Sequence, residues 1–470
     1  MLPAQPKQSG QQVIITALIL VAAFGAVFAF ILCNSRLPSG FIKERQPGMD
    51  RISAAGQADQ SSPFLSGKFI VGTGSPAALP GSWPRFRGPN GNGIAADAAT
   101  IGQKWTPLWT VDLGEGYAGA AVRDGRVYVL DYDQKNLADA LRCLSLADGK
   151  EIWRFSYPVK VKRNHGMSRT TPTLVGRYVV SLGPKCHVVC LDAVTGQFVW
   201  GIDLVKEYNA EVPEWYAGQC PLVDDDRVIL APGGGALMIA VELATGKVVW
   251  KTPNPHDWKM THSSIVPVEF AGKHHNVYCG SRGVVGVSAS DGAVLWETDK
   301  WIISIATVPS PVDAGDGKIF LSGGYNAGAK MLQLRETNGK IVPVELFRLP
   351  ASVFGATQQT PILYQNHIYG VRPDGQLACI DLTGKVVWTS GSNDKFGLGP
   401  FLIAGGKLFV MNDEGVLTLA EASPAGYRPL VKNRVLHGHD SWAPLALAGN
   451  RLLARDLTQM VCLDVTGENP

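Results

Sequence analysis

From residue 105 onward the chain alternates apolar and polar residues in short runs, and the runs are broken by Asp-Gly or Gly-Gly. VRDGRVYVL (122–130), DAGDGKIFL (313–321) and LIAGGKLFV (402–410) have this form, and LVDDDRVIL (222–230) carries Asp-Asp at the same turn. A period of two on both sides of a tight turn predicts β-hairpins. A longer period lies over this one. ATGKVVW at 244–250 returns as LTGKVVW at 382–388, and a Gly followed four residues later by Trp also occurs in DGKEIW, TGQFVW and DGAVLW. The tryptophans are Trp153, Trp200, Trp250, Trp296 and Trp388, spaced by 47, 50, 46 and 92 residues. The last interval is a double one, so one unit lacks its Trp. That unit is TNGKIVP (337–343), in which Pro343 is expected at the Trp position of an edge strand.

Eight units begin near Ala118, Thr170, Gln219, Ser263, Val308, Gln359, Gly399 and Trp442. At about 45 residues each they have the length of four short strands, the blade of a propeller. The expected fold is therefore all-β, an eight-bladed β-propeller over 105–467. The eighth unit ends at VCLDVTG (461–467) without an outer strand, and an unattached PLWTVDL stands at 107–113. Ring closure by this N-terminal strand, with Trp109, would hide both sheet edges. Trp109, Trp153, Trp200, Trp250, Trp296 and Trp388 are read as blade-docking residues and not as a binding site.

Ahead of the repeats the pattern changes. Residues 13–32 hold Thr16 as their only polar side chain, long enough as a helix to cross a hydrocarbon core of roughly 30 Å. With a short tail at 1–12, residues 13–33 read as an uncleaved transmembrane anchor. The stretch 34–82, rich in Ser, Gly, Pro and Ala, reads as a flexible tether, with an end-to-end distance on the order of 40 Å. Residues 83–104 form an entry segment. The 53 Gly and 30 Pro agree with many turns. A net charge of +3, with no basic block, gives no support to nucleic-acid binding.

CLDAVTGQFVW (190–200) and its cousins resemble the repeat of the quinoprotein-type propellers, the pyrroloquinoline quinone-like repeat family. WPRFRGPNGNGIA (83–95) is similar to the entry motif of a non-dehydrogenase subgroup found in planctomycete-type bacteria. RTTPTLVGRYVVSLGP, RGVVGVSASDGAVLWET and WAPLALAGNRLLARD resemble its blades. The wider family includes quinone-dependent alcohol dehydrogenases and the propeller lipoprotein of the outer-membrane β-barrel assembly machinery. The resemblance implies export, with the propeller facing the periplasm from a single-pass inner-membrane anchor. The charges flanking the anchor, Lys7 before it and Arg36, Lys43 and Arg45 after it, would by themselves mildly favour the opposite orientation.

The dehydrogenase branch of the family pairs the quinone with calcium or a related ion, an active-site Asp and often a disulfide between adjacent cysteines. This chain has no Cys-Cys and no Cys-x-x-Cys-His, and no segment matches the metal and Asp motifs. No catalytic residue, metal or cofactor is expected; pyrroloquinoline quinone with calcium belongs to the alternative reading of a diverged oxidoreductase. Cys143, Cys190, Cys379 and Cys462 share one repeat position and read as small buried hydrophobes. Cys220 and Cys279 are the pair worth testing for a disulfide.

Loops from an outer strand to the next inner strand gather at one mouth of the central channel. The expected mouth residues are Tyr117, His165, Arg169, Gln219, His262, Gln359 and Trp442, joined by Tyr325 from SGGYNAGAK (322–330). Lys160, Lys162 and Arg163 add basic charge, so the mouth would suit an acidic or polar ligand or a peptide edge. The expected function is a membrane-tethered, non-catalytic scaffold with a protein partner in the cell envelope. A small-molecule or carbohydrate-binding module is the further alternative.

Overall fold

In the computed structural model, residues 61–95 and 101–467 are described. They form eight antiparallel sheets of four chain-consecutive or ring-closing strands, arranged as the blades of a propeller. Blade 1 runs from the channel outward through Ala121–Arg123, Arg126–Asp133, Ala138–Ser145 and Glu151–Pro158. Blade 8 carries Ala446–Ala448, Arg451–Arg455 and Gln459–Asp464, and its outer strand is Thr106–Asp112 from the N-terminal side, with Trp109 opposite Cys462. The ring is closed by that strand, and the first and last sheets have no open seam between them.

The Gly-to-Trp spacing has a physical cause in the packing of one blade on the next. A Cβ on Gly149 of blade 1 would lie 2.8 Å from the Trp109 ring of blade 8. Gly196 stands in the same relation to Trp153, Gly246 to Trp200 and Gly292 to Trp250. Each of these turns has φ near +70°, a conformation that also favours Gly. The indole N–H then donates to the neighbouring blade: Trp109 to Leu146 O, Trp200 to Leu243 O, Trp250 to Ala289 O and Trp388 to Ser423 O, at 2.8 to 3.1 Å. Across the sheet each Trp faces a small residue, Cys143, Cys190, Ala240, Gly286, Cys379 or Cys462. The repeat cysteines thus leave room for the indole.

Two units depart from this pattern. In blade 5 the third and fourth strands lengthen to Gly328–Thr337 and Lys340–Leu349. The bulge that follows the Trp-facing residue in other blades falls here after Met331, whose partner is Phe347. Phe347, not Pro343, therefore occupies the Trp place, and a Cβ on Gly384 of blade 6 would meet its ring at 2.9 Å. Pro343 lies on the open outer strand opposite Leu334. In blade 4, Trp296 folds over Gly286 of its own sheet and donates to His275 Nδ1 at 3.1 Å.

The hub is tied by a belt of hydrogen bonds. Thr171 N donates to Cys220 Sγ, Cys220 N to Ser264 Oγ, Ser264 N to Ser310 Oγ and Ser310 N to Thr360 Oγ1. It links blades 2 to 6. Gly399-Pro400, Ala443-Pro444 and Gly119-Ala120 occupy the corresponding stretches of blades 7, 8 and 1, where no such side chain is available. Between blades 8 and 1 the join is made by Arg455, which is 2% exposed and donates to Ala118 O, Leu130 O and Gly114 O.

The N-terminal segments take a more ordered course than their composition predicts. From residue 61 the expected tether packs on the rim: Phe64 is buried among Tyr157, His187 and Phe198, and Lys68–Val71 adds a fifth strand to blade 1. The entry segment then crosses the channel on the face away from the mouth. Trp83 pairs with Val122 of blade 1, Pro84 O accepts from Leu174 N of blade 2, and Ile94–Ala95 runs parallel to Phe401–Ala404 of blade 7. Between these ends Arg87 donates to Gly91 O, Asn92 O, Thr360 O and Pro361 O. Blades 2 and 6 stand opposite each other in an eight-membered ring, so the segment closes that end of the channel. The expected anchor at 13–33 lies outside the described residues. Among those described, no helix is long and apolar enough to cross a membrane.

Candidate functional site

The loops that lead into the inner strands bring most of the expected mouth residues into one cluster. Tyr117 from the blade 8 to 1 connection is buried, and its ring centroid lies 5.2 Å from that of Trp442. The Arg169 guanidinium stands 5.0 Å over the other member of this pair, the Tyr117 ring, as a cation–π contact. Gln359 Nε2 donates to Trp442 O at 3.0 Å. Tyr117, Arg169, Gln359 and Trp442, from four connections, are thereby locked together.

Two acids that the repeat pattern did not single out complete this wall. Trp442 Nε1 donates to Asp413 Oδ1 at 2.7 Å, and the Tyr117 hydroxyl donates to Asp440 Oδ2 at 3.2 Å. Burial, and then the Asp440 charge, hold the Tyr117 hydroxyl well above the ordinary tyrosine range. Asp440 sits two residues before Trp442 and could have been noted for that. Asp413 belongs to a turn of blade 7, and only the folded ring brings it here.

On the other side of the mouth the groups are donors. Arg169 Nη2 is shared by Asn164 O, His165 O and Gly166 O, while its Nε is buried without an acceptor. Burial lowers the Arg169 pKa. Gln219 is fully buried; its Oε1 accepts from Ala231 N at 2.9 Å, and its side chain also hydrogen-bonds to the Tyr278 hydroxyl. The His262 ring is likewise buried and hydrogen-bonds to the Tyr216 carbonyl. Desolvation, with Arg169 next in effect, pushes the His262 pKa down to about 4. Tyr216, buried between them, has φ +68°, a strained backbone for a bulky residue.

The remaining candidates lie at the periphery. His165 is exposed and contributes its carbonyl to Arg169. Arg163 pairs with Glu115 at 2.6 Å. Tyr325, at φ +54° in its turn, is 39% exposed, and no hydrogen bond or ring contact joins it to the Tyr117–Trp442 cluster. Cys220 and Cys279 are both free thiols, buried in the hub and in blade 4. Among the described residues no group of three His, Cys, Asp or Glu side chains could hold a metal ion.

The family model described as outer membrane protein assembly factor BamB matches residues 138–383, just over half of the chain. No curated protein matches. Among solved structures, the chain is similar to BamB from Moraxella catarrhalis, with 14% identity over 77% of this chain and 100% of that one, at a TM-score of 0.55. It is also similar to the quinohemoprotein alcohol dehydrogenase of Comamonas testosteroni, with 13% identity over 83% and 81% of the two chains and a TM-score of 0.58. A europium-containing methanol dehydrogenase has 13% identity over 82% and 89%, at 0.57. At such identities the likeness carries the fold and no chemistry. The chain belongs to the BamB-like family of quinoprotein-type β-propellers.

Proposed function

We propose that this protein is a non-catalytic binding scaffold of the cell envelope, a propeller held by the apolar segment 13–33 in the inner membrane and facing the periplasm. The observation that carries the reading is the state of the mouth. Each of its acids gives one oxygen to an aromatic donor, Asp413 to Trp442 and Asp440 to Tyr117, and the two rings pack on one another. A tricarboxylic quinone with a divalent ion calls for carboxylates free to ligate metal and for several cations against the cofactor. Here Arg169 spends Nη2 on three carbonyls, and the donor set does not fit that cofactor. Family membership favours a role in which a rigid disk presents loops to a protein partner.

The test is site-specific photo-crosslinking in cells, with the photoreactive residue at His165 or Tyr325 on the mouth face and at Asn90 on the opposite face. The reading expects a discrete envelope-protein adduct from at least one mouth position. Adducts from neither face would remove its basis.

A further inference from the structure

The outer strands of the blades are sheet edges, and each is disarmed in the same way. All eight break register against the third strand of their blade at a bulge. Those of blades 5, 7 and 8 also carry Pro343, Pro429 and Pro107. Bulges and prolines keep a sheet edge from pairing with another chain.

Among the described edges one lacks both. Lys68–Val71 covers the outer strand of blade 1 as a fifth strand, in unbroken register from Lys68 opposite Ser156 to Val71 opposite Trp153. Lys68 is its only charge, and all of its residues are exposed, with Phe69, Ile70 and Val71 at 43%, 50% and 74%. The strand is nonetheless firmly seated. Phe64 is buried just before it, and a Cβ on Gly67 or Gly72 at its ends would meet the Phe155 ring at 2.2 Å or Glu151 O at 1.9 Å.

The direction of its free main-chain groups follows from the ladder. Gly72 N donates to Ile152 O, and residues along an antiparallel strand alternate between bonded and non-bonded pairs. Lys68, Ile70 and Gly72 therefore turn their main-chain groups toward blade 1, and Phe69 and Val71 turn theirs outward. Gly67 N is already spent on Phe64 O. Any strand added here must satisfy Phe69 and Val71.

A second copy of the same strand does so. A two-fold axis along the sheet normal at Ile70 sets Phe69 opposite Val71 of the second copy, where the two exchange both main-chain bonds, and Ile70 opposite Ile70 in the non-bonded pair between. The same operation keeps Phe69 and Val71 of both copies on one face of the sheet, the face on which Phe69 lies against Gly196 of blade 2. Lys68 falls opposite Gly72, so like charges stay apart. Residues 34–60 join the segment 13–33 to this rim, and copies held in one membrane would have their strands concentrated there. This last argument rests on the proposed anchor; the pairing geometry does not.

We propose that the protein self-associates as a two-fold dimer through Lys68–Val71, which joins the first blades of two copies into one continuous sheet.

The test uses the full chain in detergent with Cys33→Ser, the other cysteines being buried. Ile70→Cys should form an intermolecular disulfide under mild oxidation, since a non-bonded antiparallel pair has its Cα atoms about 4.5 Å apart. Phe69→Cys, displaced along the strand from its symmetry mate, should crosslink at least tenfold more slowly. Val71→Pro removes an outward N–H and no bond to blade 1. Added to Ile70→Cys it should cut crosslinking at least tenfold, with the thermal midpoint of the dilute protein unchanged. In sedimentation equilibrium the native chain should show monomer and dimer, and Val71→Pro or Ile70→Lys should leave monomer. A native chain that sediments only as monomer, with Ile70→Cys uncrosslinked, overturns the proposal. So does a dimer or crosslink indifferent to Val71→Pro, which would place the contact elsewhere, the apolar segment 13–33 included. Ile70→Cys adducts formed in cells only with another protein would overturn the choice of a second copy and give the edge to a foreign strand.

Discussion

Gly246 of blade 3 lies flat against the indole of Trp200 in blade 2, so close that a Cβ would sit 2.8 Å from the ring. The turn needs a positive φ, and the ring needs an uncovered backbone; Gly alone meets both demands. This contact, repeated at Gly149, Gly196 and Gly292, is the reason a Gly and a Trp recur together along the chain.

Gly246→Ala should therefore cost more than backbone strain alone. The left-handed conformation costs an L-residue roughly 1–2 kcal/mol, and overpacking adds about 1–3 kcal/mol. Gly176, at φ +52° with nothing within 4 Å of its missing Cβ, supplies the control. Denaturant unfolding should show Gly176→Ala losing only the smaller amount. Equal losses at the two sites would mean that the indole contact contributes nothing.

The docking tryptophans should not be interchangeable. Trp200 Nε1 donates to Leu243 O at 2.8 Å. Trp153 Nε1 is buried without an acceptor, because the Tyr128 hydroxyl takes the corresponding carbonyl, Ala193 O, at 2.9 Å. Trp200→Phe leaves Leu243 O without its donor, whereas Trp153→Phe removes an orphan. Unfolding midpoints should put Trp200→Phe below Trp153→Phe by about 1–2 kcal/mol.

Arg87 holds the entry segment by four hydrogen bonds to carbonyls, two of them on blade 6. Arg87→Met should lower stability by about 3 kcal/mol, as several acceptors lose a charged donor together. Amide exchange should rise over 85–95 and at Ile403, whose N–H donates to Gly93 O, while the outer strands stay protected. Uniform loss of protection throughout the ring would contradict the local role of this segment.

Asp139 is 1% exposed, accepts from the Tyr157 hydroxyl at 2.7 Å and has Oδ1 without a partner. Burial raises its pKa from 3.8 to about 7, against the lowering effect of the Tyr157 bond. A carboxyl raised in the folded state favours folding below its ordinary pKa, and that contribution is lost as pH rises through about 7. Asp139→Asn removes the titration. The variant should gain on the native protein between pH 4 and 8, by about 4 kcal/mol at most. His187, whose pKa burial lowers to about 4, acts in the opposite direction in both proteins and cancels in the comparison. A pH-independent difference would mean that Asp139 is not carrying this proton.

What the chain reveals about itself divides by range. Hairpins, the eight units and the closing strand were legible because each is written in neighbouring residues and repeated. The replacement of Trp by Phe347 was not, since it depends on where a bulge falls in two lengthened strands. The hub belt, the Arg455 clamp and the crossing of the channel by the entry segment join residues up to hundreds of positions apart. At the mouth the sequence placed Tyr117, Arg169, Gln359 and Trp442 in the loops that lead from one blade into the next. It could not show that Asp413 and Asp440 occupy one side and Arg169, Gln219 and His262 the other. His165, expected there from the connection into blade 2, and Tyr325, expected there from the turn between the second and third strands of blade 5, stand at its edge.

The most direct test of a non-catalytic propeller is a near-ultraviolet and visible spectrum, with quinone and metal analysis, of the full chain purified in detergent after incubation with pyrroloquinoline quinone and calcium. The account predicts a folded protein that retains neither in stoichiometric amount. One quinone and one calcium ion per chain would contradict it and make the Tyr117–Arg169–Trp442 cluster part of a redox site.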